Sequence, residues 1–451
     1  MQKISINSHL VPTITFLTAL IAYFILAHHL PRTEFIPALF AWAIVWAATG
    51  IGAYFLREKS AIAGKEMGVM RLLFAAGLIF RLLGVFATPS LSDDYFRFIW
   101  DGRLAVAGFN PFATRPEEWL NSPLFAQLQL DDLYQNLNSP RYYSVYPPLS
   151  QLWFYAAAYL GEQEIIYELF FLRLFIIGAE IGSFFLIRKL LDLSQQPAHY
   201  AAFYWLNPLI IIELTYNLHF EAVQIFFLLL TLYALQTQRV KMAALSLALA
   251  AAAKLLPLIF APILWFRLGL KRGFWFLSAS GLFFLVSFLP FFDLELIAKI
   301  GSSVGLYFNS FEFNASIYYL AREVGFWVYG NNQIAFLGKT LSILSLIIIL
   351  FISKKAADKR VNLAELMLFT LTGYYLFATT IHPWYLSNLL VLGVLSGYKY
   401  PLVWSFMVFL TYKSYENADL YQESLYLVAL EYLLVGIYFY YEKAHFFRKK
   451  G

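Results

Sequence analysis

The chain has 451 residues, of which 60% are hydrophobic, 19% aromatic and only 14% charged, with a formal net charge of +5. A soluble globular protein carries about 25% charged residues, so this composition excludes that class. The mean hydropathy is +0.63, and apolar runs of about 17 to 25 residues, long enough to cross a bilayer, recur from end to end. We therefore predict an all-α polytopic integral membrane protein, with residues 1–451 forming a single membrane domain. The absence of cysteine excludes disulfides and thiolate catalysis.

Basic clusters separate the apolar runs and predict the topology. They are Arg57, Lys59, Lys65 and Arg71; Arg188 and Lys189; Arg239 and Lys241; Arg267, Lys271 and Arg272; Lys354, Lys355, Lys359 and Arg360; Lys399; and Arg448, Lys449 and Lys450. The positive-inside rule places all of these clusters in the cytoplasm. Residues 10–26 lack a clear small-residue cleavage site, so we interpret this run as an uncleaved first helix.

Threading the apolar runs between the clusters predicts about twelve transmembrane helices, with both termini cytoplasmic and a bacterial inner (plasma) membrane as the location. The predicted spans lie near residues 10–28, 36–56, 70–88, 165–188, 199–216, 220–237, 273–291, 333–353, 361–380, 383–398, 400–413 and 421–441. Two further segments, residues 147–160 and 241–267, must then be re-entrant or broken; Lys254 and Pro257 interrupt the second. Such segments are tolerated at membrane depth only beside protein or a water-filled cavity, so they predict a cavity.

The same threading places the unusual polar residues on one side of the membrane. It predicts a long exoplasmic loop at residues 89–146 with amphipathic helices, a second loop region at residues 292–332, and turns at residues 217–221 and 379–384. Because these segments converge on one side, we expect an exoplasmic site.

An acid-rich stretch at residues 92–103 is the first candidate for chemistry. On a helix, Asp93 or Asp94, Arg97 and Asp101 share one face, and apolar residues occupy the opposite one. We expect this helix to lie flat on an apolar surface with its acids directed into the cavity. The alternative is an ordinary helix start, with Ser92 as N-cap and acids favoured by the helix dipole.

Ionisable residues within apolar spans are costly and are usually functional. Arg173 and Glu180 lie seven residues apart, so they can pair or both face the bundle interior. Lys254 lies at a helix break and needs an anionic partner, such as a lipid phosphate. The alternative is a lysine that snorkels to an interface.

Three further segments supply aromatic and polar side chains near the expected outer face. His219 and Glu221 can converge from a turn between two spans, or they cap an interface. His382 and Tyr385 occupy a similar turn, where aromatic residues also form interfacial belts. Tyr146 ends the long loop just before two prolines. Phosphate-binding glycine loops, zinc-ligand spacing and serine triad patterns are missing, so nucleotide chemistry is not expected.

An ordered series of motifs resembles a known group of enzymes. The motifs are Asp94-Tyr95, Gly108-Phe109-Asn110-Pro111-Phe112, Tyr146-Pro147-Pro148-Leu149, Arg173 with Glu180, Tyr204-Trp205-Leu206-Asn207-Pro208-Leu209, Lys254-Leu255-Leu256-Pro257-Leu258-Ile259-Phe260-Ala261-Pro262 and Trp384-Tyr385-Leu386. The series is similar to the catalytic subunit of GPI mannosyltransferase I and to the bacterial polyprenyl-phosphate-mannose-dependent mannosyltransferases of the GT-C superfamily. The GPI enzyme has an Asp-x-Asp pattern in its first loop, whereas Ser92 precedes two adjacent acids here.

The resemblance implies a GT-C-like fold. It also implies an inverting glycosyltransferase that moves a sugar from a polyprenyl-phosphate donor to an acceptor hydroxyl, and it points to mannose as that sugar. Such a reaction needs a base for the hydroxyl and a cation for the departing phosphate. Asp94 or Asp93 is the candidate base, and Lys254 or Arg97 the candidate phosphate ligand. Candidate sugar or acceptor ligands are Asp101, Tyr146, His219, Glu221, His382 and Tyr385.

The sequence leaves the partners and the metal dependence open. No cofactor is required, but a divalent cation can bridge Asp93 or Asp94 to the phosphate. The acceptor is a glycan, glycolipid or protein, and no nucleic acid is expected. A transporter or flippase of a lipid-linked or small polar substrate is the alternative function, since it also explains intramembrane charges and broken helices. A non-catalytic membrane subunit is a second alternative, in which both acids are dispensable.

Overall fold

The structure is a computed structural model that describes residues 7–60, 66–417 and 421–450. Its helices are α1 Asn7–His28, α2 Phe35–Ser60, α3 Glu66–Leu83, α4 Asp94–Val106, α5 Leu124–Gln127, α6 Asp131–Asn136, α7 Pro148–Gly161, α8 Ile165–Leu193, α9 Ala202–Trp205, α10 Glu221–Gln236, α11 Val240–Ala253, α12 Ala261–Leu268, α13 Leu270–Ser287, α14 Leu296–Asn309, α15 Ile317–Tyr329, α16 Ile334–Lys354, α17 Leu363–Phe377, α18 Leu386–Ser396, α19 Tyr400–Met407 and α20 Leu425–Lys450. The all-α prediction is confirmed, because these residues contain no β-strand and only an isolated bridge between Phe313 and Thr380. Lys65 of the first basic cluster lies outside the described residues.

Shorter helical turns connect several of these helices. They are Pro116–Trp119, Ala198–Ala201, Leu256–Phe260, Leu289–Phe291, Lys355–Ala357, Pro383–Tyr385 and Val408–Tyr415, together with a π-helix at Ile210–Tyr216. The π-helix is wider than an α-helix, and π-helical turns often mark functional sites.

Five helices of the described part of the chain are long and apolar enough to cross a membrane, as expected for an integral membrane protein. They are Leu10–His28, Phe35–Phe55, Ile165–Leu193, Ile334–Ala357 and Leu425–Ala444. A sixth span is present if Ile210–Tyr216 and Glu221–Gln236, which are bent by 112°, form one span. The count of about twelve from hydropathy alone is therefore not confirmed.

Helix breaks explain much of this difference. The predicted span at residues 199–216 is divided among Ala198–Ala201, Ala202–Trp205 and Ile210–Tyr216. Pro208 lies in one gap, where it cannot donate a backbone hydrogen bond. The segment at residues 241–267 is broken as predicted, because α11 ends at Ala253 and Lys254 is extended, with φ −153° and ψ 144°.

The acid-rich pattern predicts a helix here, and α4 begins at Asp94 with Asp93, not Ser92, as its N-cap. The polar face of α4 differs from the prediction. Arg97 and Asp101 form an ion pair of 2.8 Å, and both are buried instead of facing an open cavity. The other oxygen of Asp101 accepts hydrogen bonds from Ser144 Oγ at 2.5 Å and Gln151 Nε2 at 2.9 Å. The loop before α7, through Ser144, and α7 itself, through Gln151, cover this face, because they supply partners for a carboxylate that is costly to bury alone.

Helices α4 and α7 pack closely at Gly102. A Cβ atom at Gly102 would lie 2.4 Å from the backbone oxygen of Phe154. We expect Gly102→Ala to lower the free energy of unfolding by about 1 to 3 kcal/mol, because α4 must move away from α7. Thermal unfolding in detergent, followed by circular dichroism, measures this change. Gly178→Ala is the matched control, since a Cβ there meets nothing within 4 Å; equal stability of the two variants would contradict the close packing.

The buried arginines and Glu180 connect distant segments. Arg173 and Glu180 both face the interior, but they do not pair. Arg173 donates to the carbonyl oxygens of Val85 and Thr215 at 2.9 and 3.1 Å, and also to those of Ala87 and Tyr216. Arg173 therefore attaches the chain that leads into α4 to the end of the π-helix.

Glu180 instead pairs with Arg81 at 2.5 Å and accepts a hydrogen bond from the Tyr204 hydroxyl at 2.8 Å. The guanidinium of Arg81 lies 3.7 Å from the Trp205 ring centroid. The Tyr204-Trp205 motif therefore surrounds a fully buried ion pair, which rigidifies the bundle next to the π-helix.

Candidate functional site

Lys254 lies at the centre of a cluster of polar residues from distant parts of the chain. Its Nζ is 2.5 Å from Glu221 Oε1 and 6.0 Å from the ring centroid of Tyr385. Burial raises the pKa of Asp94 and the positive charge of Lys254 opposes this rise, whereas burial lowers the pKa of His382 and the same charge lowers it further. The structure thus brings together residues from α4, α10, the break after α11 and the turn before α18.

The two adjacent acids have different surroundings. Asp93 forms an ion pair of 2.5 Å with Arg32. Asp94 accepts a hydrogen bond from Asn138 Nδ2 at 3.1 Å and another from the Tyr146 side chain. Burial raises the pKa of Asp94 above its ordinary value, although Lys254 and both hydrogen bonds oppose that rise. Asp93 is thus committed to an arginine, whereas Asp94 carries a carboxylate that takes up a proton more readily than an ordinary aspartate does.

The helix break positions Lys254. Ser150, in the first turn of α7, donates a hydrogen bond to the carbonyl oxygen of Ala253 at 2.8 Å. This carbonyl belongs to the last residue of α11, so the contact fixes the point at which the chain leaves the helix. The Lys254 side chain is 21% exposed, while Glu221 is 2% exposed. The ammonium is therefore anchored on one side and accessible on the other.

Trp384 lies between two imidazole rings. Its ring is stacked on His219 at a centroid distance of 3.7 Å and on His382 at 4.5 Å. Burial, with a further contribution from Lys254, lowers the pKa of His382 to about 3. This imidazole is consequently neutral near pH 7 and can both donate and accept hydrogen bonds.

Several buried polar atoms around this stack have no hydrogen-bond partner among the described residues. They are Glu213 Oε2, His219 Nδ1 and Nε2, Glu221 Oε2 and His382 Nδ1. Buried polar groups nearly always have partners in folded proteins, either protein atoms or ordered water. The concentration of unpaired donors and acceptors in one place therefore indicates a binding site for a polar ligand or for water.

The turns that carry the two histidines are held by amide side chains. Asn217 Oδ1 accepts hydrogen bonds from the backbone nitrogens of Ser90 and Leu91 at 3.1 and 2.9 Å. Gln224 and Asn388 form a reciprocal amide pair of 2.9 and 3.0 Å between α10 and α18. These contacts fix the two turns relative to each other and to the start of α4.

Leu218, in the first turn, has a φ of +63°, a conformation that non-glycine residues rarely adopt. Strained backbone of this kind persists where surrounding contacts impose it, and it clusters at functional sites. Here it turns His219 toward Trp384 between the π-helix and α10.

Comparison with known families identifies the chain. Residues 16–268, more than half of the sequence, match the MptA_B family, described as alpha-(1->6)-mannopyranosyltransferase, N-terminal domain. The chain belongs to this family. This mannosyltransferase family fits the predicted resemblance to GT-C mannosyltransferases, while the specific likeness to the GPI enzyme stays a prediction. No curated protein and no solved structure matches the chain.

The match covers part of the candidate site. Asp94, His219, Glu221 and Lys254 lie inside the matched range, whereas His382 and Tyr385 lie beyond it. The family supports mannosyl transfer and gives no support to a transporter.

Sequence reasoning missed three residues that border the candidate site. Glu213 is fully buried, lies 3.7 Å from His219 Nε2 and accepts a hydrogen bond from the Tyr412 hydroxyl at 2.7 Å. A glutamate inside an apolar run was a usable signal for it. Asn138 contacts Asp94 from 44 residues away, and Arg32 contacts Asp93 from 61 residues away. Nothing in the sequence around Asn138 or Arg32 predicts these contacts.

Arg97 and Asp101 of the mannosyltransferase contact a neighbouring loop. Arg97 Nη1 donates to the carbonyl oxygen of Tyr142 at 2.9 Å, and Asp101 binds Ser144 and Gln151. One donor of Arg97, Nη2, is buried without a hydrogen-bond partner. The pair therefore fastens α4 to the loop that ends at Tyr146, and its contacts are not to Lys254 or Glu221.

The described part of the chain contains no group of three or more His, Cys, Asp or Glu side chains that could hold a metal ion. A divalent cation that bridges Asp93 or Asp94 to the donor phosphate stays a prediction.

Proposed function

We propose that this chain transfers mannose from a polyprenyl-phosphate-linked donor to an acceptor hydroxyl on the exoplasmic side of the membrane. The observation that carries the proposal is the convergence of Asp94 and Lys254, a carboxylate with a raised pKa within the electrostatic reach of an accessible ammonium. Attack of a hydroxyl on a glycosyl phosphate requires both charges, a carboxylate as base for the hydroxyl and a cation for the departing phosphate.

The reaction is a single displacement. The acceptor hydroxyl oxygen forms a bond to the anomeric carbon while the bond between that carbon and the phosphate oxygen breaks, and its electron pair leaves with the polyprenyl phosphate. Asp94 takes the proton of the attacking hydroxyl. One displacement inverts the anomeric centre, so an α-linked product, as in the family description, requires a β-linked donor.

Lys254 binds the donor phosphate and stabilises the negative charge that the leaving group acquires. Arg97 is less suited to this role, since Asp101 already neutralises it. The neighbouring side chains of Leu255 and Leu258 are 36% and 44% exposed, so the polyprenyl chain has an apolar surface next to the ammonium. We assign to Arg97 and Asp101 the positioning of the loop that carries Tyr146.

The unpaired polar atoms of Glu213, His219, Glu221 and His382 bind the hydroxyl groups of the transferred sugar. A sugar hydroxyl both donates and accepts a hydrogen bond, so it satisfies a carboxylate and a neutral imidazole equally well. Tyr146 and Tyr385 border the same space, next to Asp94 and Lys254 respectively.

Transfer of radiolabelled mannose by the purified chain in liposomes tests the donor class. We expect label from polyprenyl-phosphate-mannose, and not from GDP-mannose, to appear in a saccharide acceptor, because Lys254 and the adjacent leucines fit a lipid phosphate. Sealed right-side-out vesicles with a membrane-impermeant acceptor test the side. Use of GDP-mannose, transfer only in inverted vesicles, or movement of the lipid without a new glycosidic bond would each contradict the proposal.

A further inference from the structure

A cavity of about 490 Å³ lies in the C-terminal part of the chain. We call it the C-terminal cavity; its lining includes Glu312, Phe313, Arg322, Tyr415, Tyr421 and Gln422. All of these residues follow the range that matches the family, which ends at residue 268. Its volume is within the range of about 300 to 1,000 Å³ that ligand pockets occupy.

Two aromatic walls of the C-terminal cavity also border the proposed active site. The Phe313 ring is stacked on His382 at 5.0 Å, and the Phe313 carbonyl accepts a hydrogen bond from the Ile381 nitrogen at 2.8 Å. On the other wall, the guanidinium of Arg32 lies 4.7 Å from the Tyr415 ring centroid. Arg32 in turn pairs with Asp93, the neighbour of Asp94. A ligand in this cavity is thus separated from the site by single side chains.

Electrostatic interactions also indicate that Tyr415, in the wall of the C-terminal cavity, lies close to Asp93 and Asp94. Burial raises the pKa of Tyr415 above its ordinary value, and the negative charges of Asp94 and Asp93 raise it further, although Arg32 acts in the opposite direction. The carboxylate of Asp94 therefore acts on a side chain that lines the C-terminal cavity.

The chemistry of the lining selects among ligands. The Tyr415 and Tyr421 rings meet edge to face at 5.8 Å, and Tyr421 is 57% exposed. Glu312 and Arg322 form an ion pair of 2.6 Å, and Arg322 Nε is buried without a hydrogen-bond partner. Glu423 adds a second carboxylate to the lining. The two carboxylates, Glu312 and Glu423, outnumber the one guanidinium, Arg322, so the lining repels a phosphate. The same polar groups make the cavity unsuitable for an apolar polyprenyl chain.

We propose that the C-terminal cavity binds the saccharide part of the acceptor, with the apolar faces of its sugar rings against Tyr415 and Tyr421 and its hydroxyls on Gln422 and Arg322. This inference rests on the proposed function and extends it to the acceptor. The bound saccharide directs its terminal hydroxyl past Phe313 and Arg32 toward Asp94. A free glycan and a lipid-linked glycan share this sugar chemistry.

Tyr421 offers a test that leaves the active site intact. We expect Tyr421→Ala to raise the KM for an α-linked methyl mannobioside about tenfold, the scale of one lost aromatic contact, with unchanged kcat and unchanged KM for the donor. Tyr421→Phe keeps the ring and should behave like the wild type. Tyr426→Ala is the matched control, because Tyr426 is 90% exposed and does not line the cavity.

An octyl mannobioside distinguishes a lipid-linked from a free acceptor. The same rise in KM for the methyl and octyl forms supports contact with the sugar, and a lower KM for the octyl form in every variant indicates a lipid-linked acceptor. An effect of Tyr421→Ala confined to the octyl form, or a change equal to that of Tyr426→Ala, would overturn the proposal.

Direct binding separates this proposal from the proposed function. Saturation-transfer NMR of methyl mannobioside on the full chain should detect binding to the wild type and to Tyr421→Phe, and weaker binding to Tyr421→Ala. That result in a chain that transfers no mannose would support the cavity and refute the function. Conversely, mannose transfer by the wild type together with an acceptor KM that Tyr421→Ala leaves unchanged would support the proposed function and refute the cavity proposal.

Discussion

Asp94→Asn is expected to reduce kcat for mannosyl transfer about a thousandfold, within the range of about 10² to 10⁴ that a general base contributes. Asparagine keeps the shape of the side chain and can still contact Asn138 and Tyr146, but it cannot accept the proton of the attacking hydroxyl. The donor KM should stay within a few-fold of the wild type, since the phosphate contacts remain. Steady-state transfer from radiolabelled polyprenyl-phosphate-mannose measures both quantities.

The adjacent acid provides the control. Asp93 is committed to Arg32 in a pair whose side chains are 34% and 20% exposed. Asp93→Asn should therefore cost less than tenfold in kcat, as expected for a partly exposed ion pair worth about 1 kcal/mol or less. Equal losses in both variants, or full activity of the double variant, would contradict the assignment of Asp94 as the base.

The pH dependence follows from the surroundings of Asp94. A base must be deprotonated to act, so activity falls as the pH drops through its pKa. Burial raises that pKa above the ordinary value of about 4, and the acid limb of kcat/KM in the wild type should lie correspondingly higher. The residual activity of Asp94→Asn should lose this limb, and an unchanged limb would assign it to another group.

Residue types predicted much of the site because polar residues are rare in this chain. Asp94, His219, Glu221, Lys254 and His382 were each identified as exceptions within apolar or turn segments, and the structure places them around one ammonium. Their individual roles stay predictions.

The pairings could not be predicted, because they depend on packing between distant helices. Local spacing suggests that Arg173 and Glu180 can pair, but Arg81, 99 residues from Glu180, takes that carboxylate. Likewise, Lys254 and Glu221 meet across 33 residues, and no helical period connects them.

The predicted number of about twelve spans is not confirmed for a related reason. Hydropathy registers apolar composition, whereas the π-helix at Ile210–Tyr216 and the 112° bend after it are properties of the backbone. The acid-rich pattern predicts the helix α4 but not the burial of its polar face, because the partners of Asp101 lie far along the chain, Ser144 in the loop before α7 and Gln151 within α7.

Lys254→Met is expected to raise the donor KM about 10- to 100-fold, the effect of losing a charged hydrogen bond worth about 1.5 to 3 kcal/mol. The same change leaves Glu221, which is 2% exposed, as a buried carboxylate without its cation. Removing one partner of a buried pair costs about 3 to 5 kcal/mol of stability, so the single variant should also unfold at a lower temperature. Taken alone, it cannot separate binding from folding.

The double variant Lys254→Met with Glu221→Gln separates these effects, because it removes both charges together. Its thermal stability in detergent should recover most of the loss, since replacing both partners of a buried pair is often neutral. The donor KM should stay high, because the ammonium that binds the phosphate is still missing, whereas Glu221→Gln alone should keep donor binding within tenfold of the wild type. Lys254→Arg, which retains the charge, should fall between the wild type and Lys254→Met. The contradicting result is a double variant that recovers its stability and also has the same donor KM as Glu221→Gln. Lys254 would then be a partner of Glu221 only, and the phosphate site would have to lie elsewhere.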